Sequence, residues 1–74
     1  MKLRLKVREI AESQGFNQST LARKADVDFN TVKRVFRNPY RDVSISTLYR
    51  LSKALRVSLD ELIEEIPDEE SPGP

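Results

Sequence analysis

The stretch that decides the fold spans residues 17–37 and reads NQSTLARKADVDFNTVKRVFR. Asn17 carries a side chain that can accept a backbone N–H at the start of a helix, and the apolar residues that follow it have the spacing of one helix face. Asp28 offers a second such cap before FNTVKRVF, which has an apolar stripe of its own. The stretch therefore predicts two short helices, about residues 18–25 and 29–37, joined by a tight turn.

The second of these helices has two unlike faces. At ~100° per residue, its apolar residues fall on one side, whereas Asn30, Arg34 and Arg37 fall on the other at positions i, i+4 and i+7. Asn pairs with adenine edges, Arg pairs with guanine, and Arg or Lys binds phosphate. A solvated helix needs no such combination on its outward face, so we interpret residues 29–37 as a DNA-recognition helix.

Three motifs together resemble the phage-repressor and Cro-like (XRE) helix-turn-helix family. They are QSTLARKADVDFNTV at residues 18–32, SISTL at residues 44–48 and ALRVSLDEL at residues 54–62. The resemblance covers about residues 3–66. It implies an all-α, five-helix lambda-repressor-like DNA-binding domain, in which helices two and three form the helix-turn-helix and helix three enters the major groove.

Helix one is predicted at about residues 3–14, with Leu3, Val7, Ile10 and Ala11 on one face. Leu3, Leu5 and Val7 also alternate like a strand, but helical spacing continues through Ile10 and Ala11 and favours a helix. Gly15 is its predicted C-terminal stop.

Helices four and five follow a loop that contains Pro39. Ser44 can cap helix four, and Ser58 with Glu61 forms a capping box that places the start of helix five at Leu59. Apolar residues are predicted to face inward from both helices: Ile45, Leu48, Leu51 and Leu55 from helix four, and Leu62 and Ile63 from helix five. Residues 1–66 are expected to form the domain, and the acidic, Pro-rich residues 67–74 a disordered tail.

Composition argues against an enzyme. The 74 residues include no Cys and no His, which excludes disulfides, a Cys/His zinc site and histidine acid–base chemistry. The acidic residues of helix five lack a catalytic partner of another type, so we expect no cofactor and no metal. No apolar run approaches the ~18 residues of a membrane span and no signal h-region is present, so we expect a cytoplasmic protein without a membrane partner.

The net charge of +1 conceals a strong asymmetry along the chain. Residues 1–56 contain 13 Lys and Arg against 5 Asp and Glu, a net charge of +8. Residues 57–74 contain 7 acids and no base, a net charge of −7. A basic body with an acidic end is compatible with two ordinary solvated faces, but together with the helix-turn-helix motif it favours double-stranded DNA as the partner.

Three residues are predicted to contact bases. Asn30 and Arg34 lie one helical turn apart on the face opposite the apolar stripe. Instead of contacting a base, Asn30 could be an ordinary solvated residue, and Arg34 could form an intramolecular ion pair. Phe29 matches a family position that often touches bases, where its ring could meet a thymine methyl group. Packing at the junction with helix two explains Phe29 equally well.

Six residues are predicted to contact phosphates. Gln18 matches the family position that holds a backbone phosphate, although it is also a good helix former near a cap. The others lie at the start of helix two, beside Asn30 and Arg34 on helix three, or in the loop after helix three: Ser19, Lys33, Arg37, Asn38 and Arg41.

This chain departs from the family pattern at three positions. Asp26 stands in the turn where Gly is common, and Asp tolerates left-handed backbone better than most residues. Near the end of helix three, Phe36 replaces a usual Glu and is expected to add to the core. Asn38 replaces a usual Gly and is expected to be left-handed.

Two functions from different classes remain open. The first is a sequence-specific transcriptional regulator, most simply a repressor that occupies its operator. The second is an antitoxin or protein-interaction module of the same fold, whose acidic C-terminus binds a cationic partner. The resemblance implies a homodimer on a two-fold operator, but the sequence identifies no dimer face.

Overall fold

A computed structural model describes residues 2–67 of the chain. In that range the elements follow the order β1 (Lys2–Leu5), α1 (Val7–Ser13), α2 (Gln18–Ala25), α3 (Phe29–Arg37), α4 (Ile45–Leu55), α5 (Leu59–Leu62) and β2 (Ile63–Ile66). The bounds predicted for α2 and α3 and the first residue of α5 are confirmed. Of the predicted disordered tail, residues 68–74 lie outside the described residues.

Side-chain caps fix where four of the helices begin. Asn17 accepts from the Thr20 N–H at 2.8 Å, and the Thr20 hydroxyl accepts from the Asn17 N–H at 2.9 Å, which completes a capping box at α2. Asp28 accepts from the Asn30 N–H at 3.0 Å, and Ser44 caps α4. The capping box predicted for α5 is also formed. Each cap pairs a backbone N–H that a helix start leaves without a partner.

The first predicted helix is wrong over its first four residues, and the fold is therefore not all-α. Lys2–Leu5 form β1, which pairs antiparallel with β2 and sets Lys2 opposite Ile66 and Leu5 opposite Ile63. The helix begins only at Val7. Strand and helix periods both fitted this segment, and pairing with residues some 60 positions away selects the strand.

The helices enclose one apolar core. Val32, Val35 and Phe36 of α3 are buried in it, so the predicted orientation of α3 is confirmed. Leu21, Leu51, Leu55 and Leu62 are the largest side chains that are fully buried. Residues from β1, α1, α2 and α4 complete the cluster: Leu5, Val7, Ala11, Ala22, Ala25 and Ala54.

Five apolar residues predicted to face inward are not fully buried, and two of them, Ile10 and Leu48, are half-buried against the core. Leu3 is 52% exposed, because it lies toward the outer end of the ribbon and opposite Glu65. Ile45 is 76% exposed, since it lies about 90° around α4 from the centre of the stripe that the later leucines form. Ile63 belongs to β2 instead of a helix and is half-buried.

The two departures from the family pattern in the turns have different outcomes. Asp26 adopts the left-handed conformation with φ 58° and ψ 47°, as predicted, and its carbonyl accepts from Arg50 Nη1 at 3.0 Å. The left-handed prediction for Asn38 is wrong, because its φ is −134° and its ψ is 95°. Its side-chain oxygen instead accepts from the Tyr40 N–H at 3.1 Å and shapes the loop directly.

Candidate nucleic-acid interface

The outward face of α3 carries a polar and cationic strip. Asn30, Lys33, Arg34 and Arg37 are all exposed, opposite the buried valines and Phe36. Within residues 2–67, none of the four takes part in an ion pair, since the three ion pairs of that range join Arg4 to Glu9, Arg4 to Glu64 and Arg8 to Glu12. The intramolecular alternative considered for Arg34 therefore finds no support in this part of the chain, and the strip presents free hydrogen-bond donors to solvent.

A hollow of about 520 Å³ lies on one side of α3, between that helix and the start of α2. Gln18 and Ser19, the first two residues of α2, line it together with Arg37. Three of the six predicted phosphate contacts are thus brought together. The first N–H groups of a helix and a guanidinium group both favour an anion.

A smaller hollow of about 230 Å³ lies on the other side of α3, against the start of α4. Arg34 and Arg41 line it with Ser44, the N-cap residue of α4, and with Asp42. Arg34, predicted to contact a base, therefore shares a cavity with Arg41, predicted to contact a phosphate. The strip is flanked on both sides by a helix start and at least one guanidinium group.

The other four predicted contact residues are exposed, and of these only Phe29 borders one of the two hollows. Lys33 and Asn30 lie on the exposed face of α3, outside both hollows. The side-chain oxygen of Asn38 accepts from the Tyr40 N–H within the loop. Phe29 is 46% exposed and borders the first hollow at the junction with α2, a position compatible with both of its interpretations.

Two arginines near the strip were missed from the sequence. Arg8 of α1 lines the first hollow beside Arg37, and Arg50 of α4 holds the carbonyl of the turn before α3. The only local signal for Arg8 is a Glu four residues later, which is an ordinary helix-surface pair. Nothing in the sequence near residue 50 indicates its contact with residue 26.

Arg4 serves the fold instead of this interface. Its guanidinium donates to Glu9 of α1 and, at 3.0 Å, to Glu64 of β2. The hydrogen bond with Glu9 raises the pKa of Arg4 further. Partial burial raises the pKa of Glu9, but the hydrogen bond from Arg4, a backbone hydrogen bond and the charges of Arg4 and Lys6 together outweigh it and leave that pKa below its usual value.

A family model described as helix-turn-helix matches residues 7–62. The chain belongs to the helix-turn-helix family. The match begins at the first residue of α1 and ends at the last residue of α5, so the β-ribbon lies outside it. The resemblance inferred from the sequence motifs is confirmed, and α2 and α3 are the two helices of the motif.

Two solved structures are similar to this helix-turn-helix domain. The restriction-modification controller protein C.AhdI from Aeromonas hydrophila is 32% identical, with a TM-score of 0.70, and the match covers 77% of this chain and 85% of that one. A hypothetical transcription factor, NHTF, from Neisseria is 26% identical, with a TM-score of 0.69, over 77% of this chain and 63% of that one. No curated protein sequence matches the chain.

Among residues 2–67 no group of three or more acidic, His or Cys side chains is placed to hold a metal ion. None of the helices in the same range combines the length and apolar character needed to cross a bilayer.

Proposed function

We propose that this protein is a sequence-specific, double-stranded-DNA-binding transcription regulator that acts as a repressor by occupying its operator. The observation that carries the proposal is the strip on α3, which is free of ion pairs among the described residues and flanked by two cationic hollows. Membership of the helix-turn-helix family and likeness to a controller protein and a transcription factor support it.

In the proposed complex, α3 lies in the major groove with its N-terminal half toward the base edges. Asn30 and Arg34 read bases, with Phe29 beside them. The hollow at the start of α2 holds a backbone phosphate through Gln18 and Ser19. Two further residues of the strip and two of the following loop hold further phosphates: Lys33, Arg37, Asn38 and Arg41.

The test separates base reading from general affinity. A genomic binding selection returns the operator, and the affinities of Ala variants are then measured on the operator and on random duplex. Arg34→Ala and Asn30→Ala should each weaken operator binding by ~1–3 kcal/mol and flatten preference at one base position. Lys33→Ala and Arg37→Ala should weaken both duplexes about equally.

Folding is checked in the same variants by thermal unfolding. The exposed positions should change stability by no more than ~0.5 kcal/mol, whereas Val32→Ala, the buried control, should lose ~1–4 kcal/mol. If Arg34→Ala weakens all duplexes equally, Arg34 holds a phosphate in the hollow it shares with Arg41. If none of the four variants changes preference, regulation through this strip is refuted.

The binding selection also bears on the oligomeric state and on the alternative function. A homodimer predicts an operator with two half-sites related by a two-fold axis and about one helical turn apart. The alternative of an antitoxin or interaction module rests on the acidic charge of residues 57–74, which contain 7 acids and no base. It predicts no enriched sequence and a complex with a cationic protein partner.

A further inference from the structure

Arg8 extends the cationic surface from the helix-turn-helix motif to α1. It lines the hollow that also contains Gln18, Ser19 and Arg37, and a neighbouring groove with Arg37. Its side chain is 60% exposed. Arg8 and Arg37 thus bring guanidinium groups from two different helices to the start of α2.

The bonding of Arg8 leaves most of its donors free. Its one contact of this kind among residues 2–67 runs from Nε to Glu12 Oε2 at 3.2 Å. A guanidinium has five N–H donors arranged as a planar fork that suits phosphate oxygens. An exposed ion pair one helical turn apart is weak. A phosphate can therefore displace Glu12 from Arg8 with little loss of free energy.

Arg4 differs from Arg8 in that intramolecular ion pairs occupy its guanidinium group. It is held by two carboxylates on two different elements, and its side chain is only 28% exposed. Arg8 has one carboxylate partner on its own helix and twice the exposure. Of the two arginines that line the groove beside Arg37 from β1 and α1, Arg8 is therefore the one available to an external anion.

We propose that Arg8 is a further contact to the backbone phosphates of double-stranded DNA and that Glu12 attenuates this contact. Glu12 lines the same hollow, where its carboxylate competes for the guanidinium and repels phosphate. This inference rests on the proposed function, since it assumes that the duplex lies against α3 and the start of α2. It adds α1 to the DNA interface and assigns the Arg8–Glu12 pair a role in setting affinity.

The experiment compares charge-removing variants in the full chain, with matched controls on other elements. Arg8→Gln and Glu12→Gln are the test variants. Lys53→Gln, on α4 beside Tyr49, removes the same positive charge. Asp60→Asn, on α5, which packs against α4 and β2, removes the same negative charge. Affinities for the selected operator and for random duplex are measured over a range of salt concentrations.

Arg8→Gln should weaken binding to both duplexes by about threefold to tenfold at low salt and reduce the slope of log affinity against log salt by about one. Arg8→Lys, which keeps the charge but loses the fork, should be intermediate. Glu12→Gln should tighten binding to both duplexes by about twofold to threefold, and by less when Arg8 is already replaced.

The inference is overturned if Arg8→Gln binds as well as Lys53→Gln, or if Glu12→Gln binds no more tightly than Asp60→Asn. A protein that binds its operator normally in those variants leaves the proposed function standing and removes only the role of Arg8 and Glu12. A parent protein that binds no duplex removes both.

Discussion

The turn between α2 and α3 depends on the backbone of a single residue. Asp26 is left-handed, and its carbonyl is held by Arg50 of α4. A left-handed backbone costs an ordinary L-residue roughly 1–2 kcal/mol, Asp somewhat less and Gly almost nothing. The turn that orients α3 therefore stores a small strain, which the contact with α4 helps to offset.

Substitution at position 26 should rank stability by backbone tolerance. We expect Asp26→Gly to be more stable than the parent by up to about 1 kcal/mol and Asp26→Val to be less stable by about 1 kcal/mol or more. Denaturant unfolding measures both. Arg56→Gly, at the other left-handed non-glycine residue of the described chain, with φ 59°, is the control and should also gain. A loss of stability on Asp26→Gly would mean that the carboxylate matters more than the backbone.

At the scale of elements, the β-ribbon closes the helical domain. It joins the two ends of the described chain, and Arg4 ties β1 to both β2 and α1 through Glu64 and Glu9. Two further bonds anchor β1: the Leu5 N–H donates to the Pro39 carbonyl and the Lys6 N–H to the Leu62 carbonyl, each at 2.7 Å. The ribbon thereby holds the loop that follows α3.

The ion pair of Glu9 gives the fold a specific pH dependence. Because the pKa of Glu9 is lower in the folded state than its ordinary value of 4.5, its carboxylate stabilises the fold above that value, and the contribution is lost as pH falls through the lower, folded-state pKa. Glu9→Gln should therefore be slightly less stable than the parent at neutral pH. The difference should shrink as the pH falls below 4.5 and vanish once the pH lies below the folded-state pKa of Glu9.

Unfolding curves at several pH values measure this difference, and Arg4→Gln supplies the control. In the Arg4→Gln background, Glu9→Gln should have a smaller effect on the pH profile, because the side chain that lowers the pKa of Glu9 through both a hydrogen bond and its charge is absent. A difference between Glu9→Gln and the parent that persists undiminished at low pH would assign the role of Glu9 to packing instead of charge.

At the scale of the whole molecule, the segregation of charge along the chain is expected to influence the affinity for duplex DNA. Removing residues 67–74 removes three acids, Asp68, Glu69 and Glu70, and changes the net charge from +1 to +4. We expect the truncated protein to bind random duplex more tightly at low salt, with a difference that fades as screening shortens the Debye length to ~3 Å at 1 M salt. Affinity measured against salt concentration tests this.

The matched variant for the truncation keeps the chain length and neutralises the same three acids as amides. It should reproduce the tighter binding, because the effect comes from charge. A truncated protein that binds more tightly at every salt concentration, while the amide variant does not, would show that the segment blocks the duplex sterically.

The sequence by itself determined the motif that carries the candidate site. Interactions within three or four residues determine the bounds of α2 and α3, their caps at Asn17 and Asp28, and the left-handed backbone of Asp26. The outward placement of Asn30 and Arg34 follows from helical periodicity, once Val32, Val35 and Phe36 are assigned to the core. Local interactions suffice to predict a helix where its capping residue, its hydrophobic period and its turn residue all indicate the same structure.

Only the tertiary structure decided the features that join distant parts of the chain. Residues 2–5 fit both periods locally, and antiparallel pairing with β2 makes them a strand. Ile45 faces solvent because of where α4 meets the core, and Asn38 follows a loop that β1 and its own side chain hold. Arg8 lines the same hollow as Arg37 because α1 packs against α3. Such contacts between residues far apart in the sequence form only when the whole chain has folded, so no local pattern records them.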